Sequence, residues 1–184
     1  MNTDWKKIWE TKGIEETDDV RLLNGWEDTC MDPKEVYEGI VGSLEITSND
    51  TILDVGCGAG AVGQYFEPER YAGVDNSPTL LRKHPHSMQA LLHHSEASEL
   101  PFPDNSYDVV FCYSVFHYFD SMTYASRTIA EMRRVSKGRV FVGDLPESSH
   151  NRDHLLFKRG DFKEWTITEG YYTPKRFNVF QNEQ

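Results

Sequence analysis

The stretch that decides the fold is residues 51–60, which read Thr-Ile-Leu-Asp-Val-Gly-Cys-Gly-Ala-Gly. The apolar run Ile52–Val55 is typical of a buried strand, and it ends in a turn with glycine at alternate positions. Glycine tolerates positive φ and lets a ligand lie against the backbone. Ala61–Phe66 then predicts the start of a helix, so the loop amides are expected to point outward as free donors. The stretch therefore indicates a loop that binds a nucleotide-type ligand.

Two cofactors fit this glycine pattern. Gly58–Gly63 matches the G-x-G-x-x-G pattern of dinucleotide-binding domains, which is a weak signal on its own. Asp54–Gly60 resembles the D-x-G-x-G-x-G motif of class I S-adenosylmethionine (SAM) methyltransferases. A carboxylate at Asp54 would repel a pyrophosphate, whereas it suits SAM, which carries an α-ammonium group and no phosphate. A turn without a ligand is the third possibility. The resemblance assigns these motif residues to the cofactor: Asp54, Gly56, Cys57, Gly58 and Gly60.

An acid follows the predicted second strand, Tyr71–Val74. Asp75 stands about twenty residues after the glycine motif begins, where an acid accepts both ribose hydroxyls of a bound nucleoside. NAD and SAM share that ribose, so Asp75 and its neighbour Asn76 predict cofactor binding without choosing between the two. A simple helix N-cap at Asp75 is the alternative.

Residues 95–110 carry a more specific resemblance. They read Ser-Glu-Ala-Ser-Glu-Leu-Pro-Phe-Pro-Asp-Asn-Ser-Tyr-Asp-Val-Val, similar to the D-A-x-x-L-P-F-x-D-x-S-F-D-x-V segment of the methyltransferase 11 type. The resemblance places Glu96 and Ala97 beside the adenine, although Glu96 stands where Asp is commoner.

A third block, Glu131–Gly138, resembles the family's E-x-x-R-V-L-K-P-G turn without its proline. The resemblance covers about half of the chain, from Ile52 to Asp144. It implies a SAM-dependent methyltransferase that releases S-adenosylhomocysteine (SAH).

Beyond the glycine loop the chain alternates predicted strands and helices, which indicates a parallel sheet with helices on both faces. Further strands are predicted over residues 90–93, 107–112, 139–143, 165–170 and 175–180. The last two would form an antiparallel hairpin, preceded by a shortened helix over 151–165. The predicted fold class is α/β, a Rossmann-like methyltransferase sheet that is mostly parallel and has about seven strands.

The length of 184 residues predicts a single domain. We divide it into an N-terminal helical lid or appendage (1–48), a SAM-binding core (49–145) and a shortened C-terminal region (146–184). In the first part, Trp5 and Trp9 share one face of a helix predicted over Asp4–Lys12, and a second helix begins after Asp32 and ends near Leu44. The tryptophans either pack on the sheet or cover the substrate.

Candidate catalytic residues follow the fourth and fifth strands. His117 is the first candidate for a general base, because imidazole titrates near neutral pH. Asp144, expected at the tip of the fifth strand, is the second candidate. Tyr113 is assigned to the cofactor side of the cleft, where it would also orient a substrate. The alternative for His117 is packing within the aromatic cluster around it.

Composition and residue spacing indicate which partners, metal ions and cellular compartment to expect. A net charge of −11 argues against nucleic acid, whose binders usually present a basic face. The histidines lack metal-site spacing, so no metal is predicted. The three cysteines, Cys30, Cys57 and Cys112, have no C-x-x-C spacing and predict free thiols in a reducing compartment. Without an apolar run long enough to span a membrane, the expected location is cytoplasmic.

The sequence thus predicts a SAM-dependent methyltransferase of a small-molecule acceptor, more readily at a hydroxyl oxygen than at nitrogen or carbon. Two alternatives stay open. One is a SAM-binding protein without transfer activity, motivated by the short C-terminal region, and the other is an NAD-dependent oxidoreductase. Neither the acceptor nor the oligomeric state follows from the sequence.

Overall fold

The computed structural model describes residues 3–26, 31–149 and 153–182. They form a seven-stranded sheet in the order β3-β2-β1-β4-β5-β7-β6. The strands are β1 (Ile52–Val55), β2 (Tyr71–Asp75), β3 (Leu91–His94), β4 (Tyr107–Tyr113), β5 (Ser136–Pro146), β6 (Thr166–Glu169) and β7 (Arg176–Asn182). β1 to β5 pair in parallel, whereas β7 is antiparallel to both β5 and β6. The predicted mostly parallel sheet with a C-terminal antiparallel hairpin is confirmed.

The helices begin at the capping residues that the sequence offers. They are α1 (Trp5–Lys12), α2 (Val20–Leu23), α3 (Pro33–Leu44), α4 (Pro78–Lys83) and α5 (Met122–Val135). The side chain of Asp4 accepts the Lys7 amide at the start of α1, and Asp32 accepts the Lys34 amide at the start of α3. Such caps satisfy amides that have no partner within the helix. Both predicted N-terminal helices are therefore present.

Helices cover both faces of the sheet. Successive strand residues point to opposite faces, so Ile52 and Phe111 pack with Ile40 of α3, whereas Leu53 packs in a second core with Met132 of α5. All five side chains are fully buried. The central strands are thereby fixed between two apolar layers, and their carboxyl ends are held at one edge.

Two predicted helices are wrong. In place of a helix over Ala61–Phe66 there is a 3₁₀ turn at Gly63–Tyr65. Pro68 would in any case prevent a longer helix here, because a proline disfavours helical backbone at the residue before it, Glu67. The helix predicted over 151–165 is also absent from its described part, which holds a short 3₁₀ turn at Arg159–Phe162. Residues 151 and 152 lie outside the described chain.

β5 is longer than the predicted run 139–143. Its register against β7 shifts between Val142 and Leu145, which marks a β-bulge. Asp144 was expected at the strand tip, but it lies inside the strand at this bulge. Bulges re-aim side chains, so this irregularity decides where the Asp144 carboxylate points.

Within the described ranges, no helix is both long enough and apolar enough to cross a membrane.

Candidate functional site

A cavity of about 300 Å³ lies at the carboxyl ends of β1, β2 and β4. β1 is the strand from which the chain turns first toward β2 and later toward β4, and ligands of open α/β sheets bind at such a reversal. One wall is the glycine loop and the end of β2. The other walls come from the end of β4 and from the N-terminal segment, including Trp5, Trp9 and Trp26.

The glycine loop takes a backbone conformation that other residues rarely adopt. Gly56, Gly58 and Gly60 have φ values of +77°, +53° and +80°. A Cβ at Gly56 would lie 2.5 Å from Val115, and one at Gly58 would lie 2.6 Å from the Asn24 amide. Gly56 and Gly58 line the cavity, whereas Gly60 does not.

Cys57 turns away from the cavity and is buried beside β2. Burial raises the pKa of its thiol well above the ordinary value, so it is unreactive. Cys57 and Cys112 are both free, as predicted, and Cys30 lies outside the described residues.

Asp75 lines the cavity and is held rigidly by the backbone. Its Oδ2 accepts the Gly58 amide and its Oδ1 accepts the Ser77 amide, each at 2.8 Å. Burial raises the pKa of Asp75 to about 6, although these amides oppose the shift. The Asn76 amide also bonds to this carboxylate. Since a carboxylate has about four acceptor positions, at least one is left for a ligand donor. Asn76, the next residue, lines the same wall.

Of the two residues predicted to lie beside the adenine, Ala97 lines the cavity and Glu96 does not. The Glu96 carboxylate instead accepts the Lys6 ammonium at 2.5 Å and the Tyr124 hydroxyl at 2.7 Å. Burial opposes ionisation, but these two donors outweigh it and lower the pKa of Glu96. Glu96 therefore ties α1 to α5 at the rim of the cavity.

Asp54 lies beneath the glycine loop and away from the cavity. It is 4% exposed, and its Oδ2 accepts the Tyr71 hydroxyl at 3.0 Å. Burial raises the pKa of Asp54 to about 8. Asp54 therefore does not line the cavity, and its carboxylate is bonded to Tyr71 of β2.

Ser114 is a cavity residue that the sequence analysis did not assign. It follows β4 with φ +60°, and Asp144 on the adjacent β5 has φ +65°. Neither is glycine, so both backbones are strained, a feature that clusters at functional sites. The Ser114 hydroxyl donates to Asp144 Oδ2 at 2.8 Å. Its lone pairs therefore remain available to the cavity.

Asp144 is fixed by the C-terminal hairpin. Arg176 donates to Asp144 Oδ2 at 2.7 Å and to the Asp144 carbonyl at 3.1 Å, while Asn178 accepts the Asp144 amide at 3.0 Å. Burial raises the pKa of Asp144 to about 6, and the Arg176 guanidinium opposes the shift. The carboxylate is 1% exposed and reaches the cavity through Ser114.

His117 does not line the cavity. Its imidazole is 2% exposed, and its ring centroid lies 4.0 Å from that of Tyr118 and 4.8 Å from that of His154. Burial, together with the charge of Arg176, lowers its pKa well below the ordinary value. An imidazole held neutral in this way is a weak base.

Aromatic side chains dominate the rest of the lining. Trp5 and Trp9 both pack on Tyr118, at centroid distances of 4.8 and 4.9 Å. Tyr113 lines the cavity, with its ring 5.8 Å from that of Trp26. Among the residues described, no cluster of His, Cys, Asp and Glu has a geometry that would hold a metal ion.

The comparisons with known proteins identify the class. Residues 53–142 match the family model of the methyltransferase domain, Methyltransf_11. The uncharacterised methyltransferase YcgJ of Bacillus subtilis is 26% identical over 113 residues, which cover 57% of this chain and 44% of that protein. The probable methyltransferase ltbC of Aspergillus luteorubrus is 31% identical over 110 residues, which cover 50% of this chain and 38% of that protein. The chain thus spans less than half the length of these curated relatives.

The fold has close structural counterparts. Magnesium protoporphyrin IX methyltransferase (ChlM) from Synechocystis, solved with bound SAM, superimposes with a TM-score of 0.63. It is 15% identical, and the match covers 99% of this chain and 93% of that one. The sheet has the fold of class I SAM-dependent methyltransferases. Residues 53–142, just under half of the chain, match the methyltransferase 11 type of domain that the motifs predicted.

Proposed function

We propose that this protein transfers the methyl group of SAM to a hydroxyl oxygen of a small-molecule acceptor. The observation that supports the proposal most directly is that one cavity is lined by two different groups. The first is the Asp75 carboxylate, which the backbone holds as a hydrogen-bond acceptor, and the second is the Ser114 hydroxyl, which is bonded to the buried Asp144 carboxylate. The first suits the cofactor's ribose and the second suits an acceptor that must lose a proton.

The cofactor half of the cavity fits SAM better than a dinucleotide. Asp75 would accept the ribose hydroxyls, Asn76 and Ala97 would flank the adenine, and Gly56 and Gly58 would leave room for the methionine part. The glycine loop leads into a 3₁₀ turn of three residues. A pyrophosphate is normally held at the N-terminus of a longer helix, whose dipole attracts it, and that helix is missing here.

The covered cavity favours a small acceptor. α1 lies over it and is tied to α4, since the Thr79 hydroxyl donates to the Glu10 carbonyl at 2.8 Å. The cavity of about 300 Å³ has to hold the cofactor as well as the acceptor, so it leaves little room for a large acceptor. With three tryptophans in the lining, an acceptor with an aromatic or apolar body suits it best. The charge of −11 opposes a nucleic-acid acceptor.

Proton removal is assigned to Ser114 and Asp144. SAM, when bound, supplies an electrophilic methyl group, so the protein must align the acceptor and take its proton. Ser114 would take the proton of the acceptor hydroxyl while its own proton passes to Asp144 Oδ2. Arg176 keeps Asp144 ionised beforehand, so the carboxylate is ready to receive that proton.

We also propose that the chain is one domain with α1 as its lid. A cytoplasmic location is a further proposal, which the free thiols Cys57 and Cys112 support.

The first experiment is calorimetric titration with SAM, SAH and NAD in parallel, followed by transfer assays with methyl-labelled SAM and panels of phenols, aliphatic alcohols and amines. Binding of SAM and SAH without NAD, with label transferred to an alcohol or phenol, supports the proposal. Binding without transfer to any acceptor class favours the non-catalytic SAM-binding alternative. A stronger response to NAD would overturn the cofactor assignment. Asp75→Ala serves as the binding-deficient control.

A further inference from the structure

We propose that His84 is a positioning residue for the cofactor loop, acting through a buried hydrogen-bonded chain of His84, Tyr71 and Asp54 that supports Gly60 and Gly63 from below. This inference rests on the proposed use of SAM. It gives a role to buried groups that methyl transfer itself does not require.

The chain of hydrogen bonds has one direction. The His86 amide donates to His84 Nδ1 at 3.0 Å, and because an amide can only donate, Nδ1 is an acceptor. The proton of the neutral imidazole therefore sits on Nε2, which lies 3.3 Å from the Tyr71 hydroxyl oxygen. Tyr71 in turn donates to Asp54 Oδ2 at 3.0 Å. The imidazole proton of His84 and the hydroxyl proton of Tyr71 thus each have one place, and the ring plane of His84 is fixed.

The chain is shielded from water. His84 is 1% exposed, Tyr71 2% and Asp54 4%. A buried imidazole costs free energy unless its nitrogens are hydrogen-bonded, and a hydrocarbon ring would fill the same volume without that cost. Burial, with a smaller effect from His86, lowers the pKa of His84 to about 3, so the ring stays neutral. The imidazole is therefore suited to holding a geometry, because its hydrogen bonds do not change near neutral pH.

The loop backbone lies directly on this ring. A Cβ at Gly60 would be 2.5 Å from His84 Nε2 and 2.6 Å from Cδ2, and one at Gly63 would be 2.8 Å from Nε2 and would meet the Tyr71 hydroxyl. A side chain at Gly60 or Gly63 would therefore clash with side chains of the protein itself. Gly56 and Gly58, in contrast, line the cavity.

Hydrogen bonds within the glycine loop connect the His84 ring to the cavity. The Gly60 amide donates to the Cys57 carbonyl at 2.9 Å, which closes the turn of the loop. Within this turn the Gly58 amide donates to Asp75, the proposed ribose acceptor. A shift of His84 would therefore move Gly60 first and then the amide that orients Asp75.

The test is SAH binding by calorimetry in the full chain. His84→Ala removes the ring, and loss of one or two hydrogen bonds plus the packing should raise the Kd for SAH about tenfold or more. Tyr71→Phe keeps the ring stack but breaks the chain, and should raise the Kd several-fold. His84→Gln restores a donor and an acceptor in one side chain, and should bring the Kd within about threefold of wild type.

The matched control is Met132→Ala, which is fully buried in the other core and does not contact the loop. It should lower the melting temperature without raising the Kd for SAH more than about threefold. If His84→Ala binds SAH as wild type does, or if Met132→Ala loses affinity equally, the positioning role is wrong.

A second readout is ¹⁵N NMR of the imidazoles in the protein without ligand. We expect His84 as the Nε2–H tautomer, with no titration between about pH 5 and about pH 8. The Nδ1–H tautomer would overturn the hydrogen-bonded chain. If wild-type protein bound no SAH, the proposed function would fail, while the NMR result would still decide the chain itself.

Discussion

Ser114, which directly follows β4, and Asp144, on the adjacent β5, both have left-handed backbones, and the Ser114 hydroxyl donates to Asp144 Oδ2 at 2.8 Å. Two strained non-glycine residues side by side persist when the surrounding structure holds them in place. The bulge in β5 and the Arg176 ion pair provide that constraint. The arrangement presents a polarised hydroxyl to the cavity, which is our reason for assigning proton removal there.

Ser114→Gly tests this assignment. Glycine accepts φ +60° without strain, which offsets part of the stability lost with the hydrogen bond to Asp144, so the melting temperature should change little. Turnover with an acceptor found in the transfer assays should fall by about 10²-fold or more, the usual contribution of a general acid or base. Affinity for SAH should change little. Wild-type turnover in Ser114→Gly would remove Ser114 from the chemistry.

Arg176→Met tests the ion pair that holds Asp144. Leaving a fully buried carboxylate without its cation costs about 3–5 kcal/mol of unfolding free energy. Since Asp144 would escape part of that cost by taking up a proton, the loss should be smaller at acid pH than at alkaline pH. Urea unfolding at two pH values measures it. Arg159→Met, whose carboxylate partners Glu147 and Glu169 are both exposed, is the control and should leave the unfolding midpoint nearly unchanged. An equal loss in both variants would contradict a special role for the buried pair.

These residues mark what the sequence could and could not predict. The strands and the N-terminal helices followed from local signals, such as the apolar run Ile52–Val55 and the cap at Asp32, because those signals involve neighbours in the chain. Arg176 could not be predicted, since it meets Asp144 across 32 residues of sequence through the pairing of β7 with β5. The bulge that aims Asp144 likewise depends on register, which no local pattern records.

Placement relative to the cavity was equally hard to predict. Family motifs identified Gly56, Gly58 and Ala97, and the position after the second strand identified Asp75. All four line the cavity. Glu96 belongs to the same motifs, yet it bonds to Lys6, because α1 folds over the site from a distant part of the chain. A motif specifies which residues are near the cofactor loop but not which way each side chain turns.

The pH dependence of SAH binding tests Asp75. Ribose hydroxyls donate to the ionised carboxylate, so binding favours the state without the proton. Since the pKa of Asp75 is raised to about 6, affinity should be full above that value and should fall as the pH drops through it. The Kd should approach a tenfold rise for each further pH unit. Calorimetry between about pH 5 and about pH 7 stays below the titration of Asp54, whose pKa is about 8.

Asp75→Asn is the control for this profile. The amide cannot ionise, so its weaker binding should be nearly independent of pH over the same range. A pH profile in the variant as steep as that of wild type would assign the effect to another group.

The last prediction separates the two proposed bases. His117 was the sequence's first candidate, but it is buried away from the cavity, and among the described residues its Nδ1 has no hydrogen-bond partner. His117→Phe keeps a ring of similar size and removes an unsatisfied polar group, so stability should be unchanged or higher. Turnover should stay within about threefold of wild type, because a general base is worth about 10²-fold or more.

The pH profile completes this test. If Asp144 receives the proton, kcat measured at saturating SAM, where the titration of Asp75 no longer limits cofactor binding, should be lost as the pH falls through about 6, the pKa of Asp144. His117→Phe should show the same acid limb. A large loss of turnover in His117→Phe, or disappearance of that limb, would return the base to His117 and would require its ring to reach the cavity when the acceptor binds.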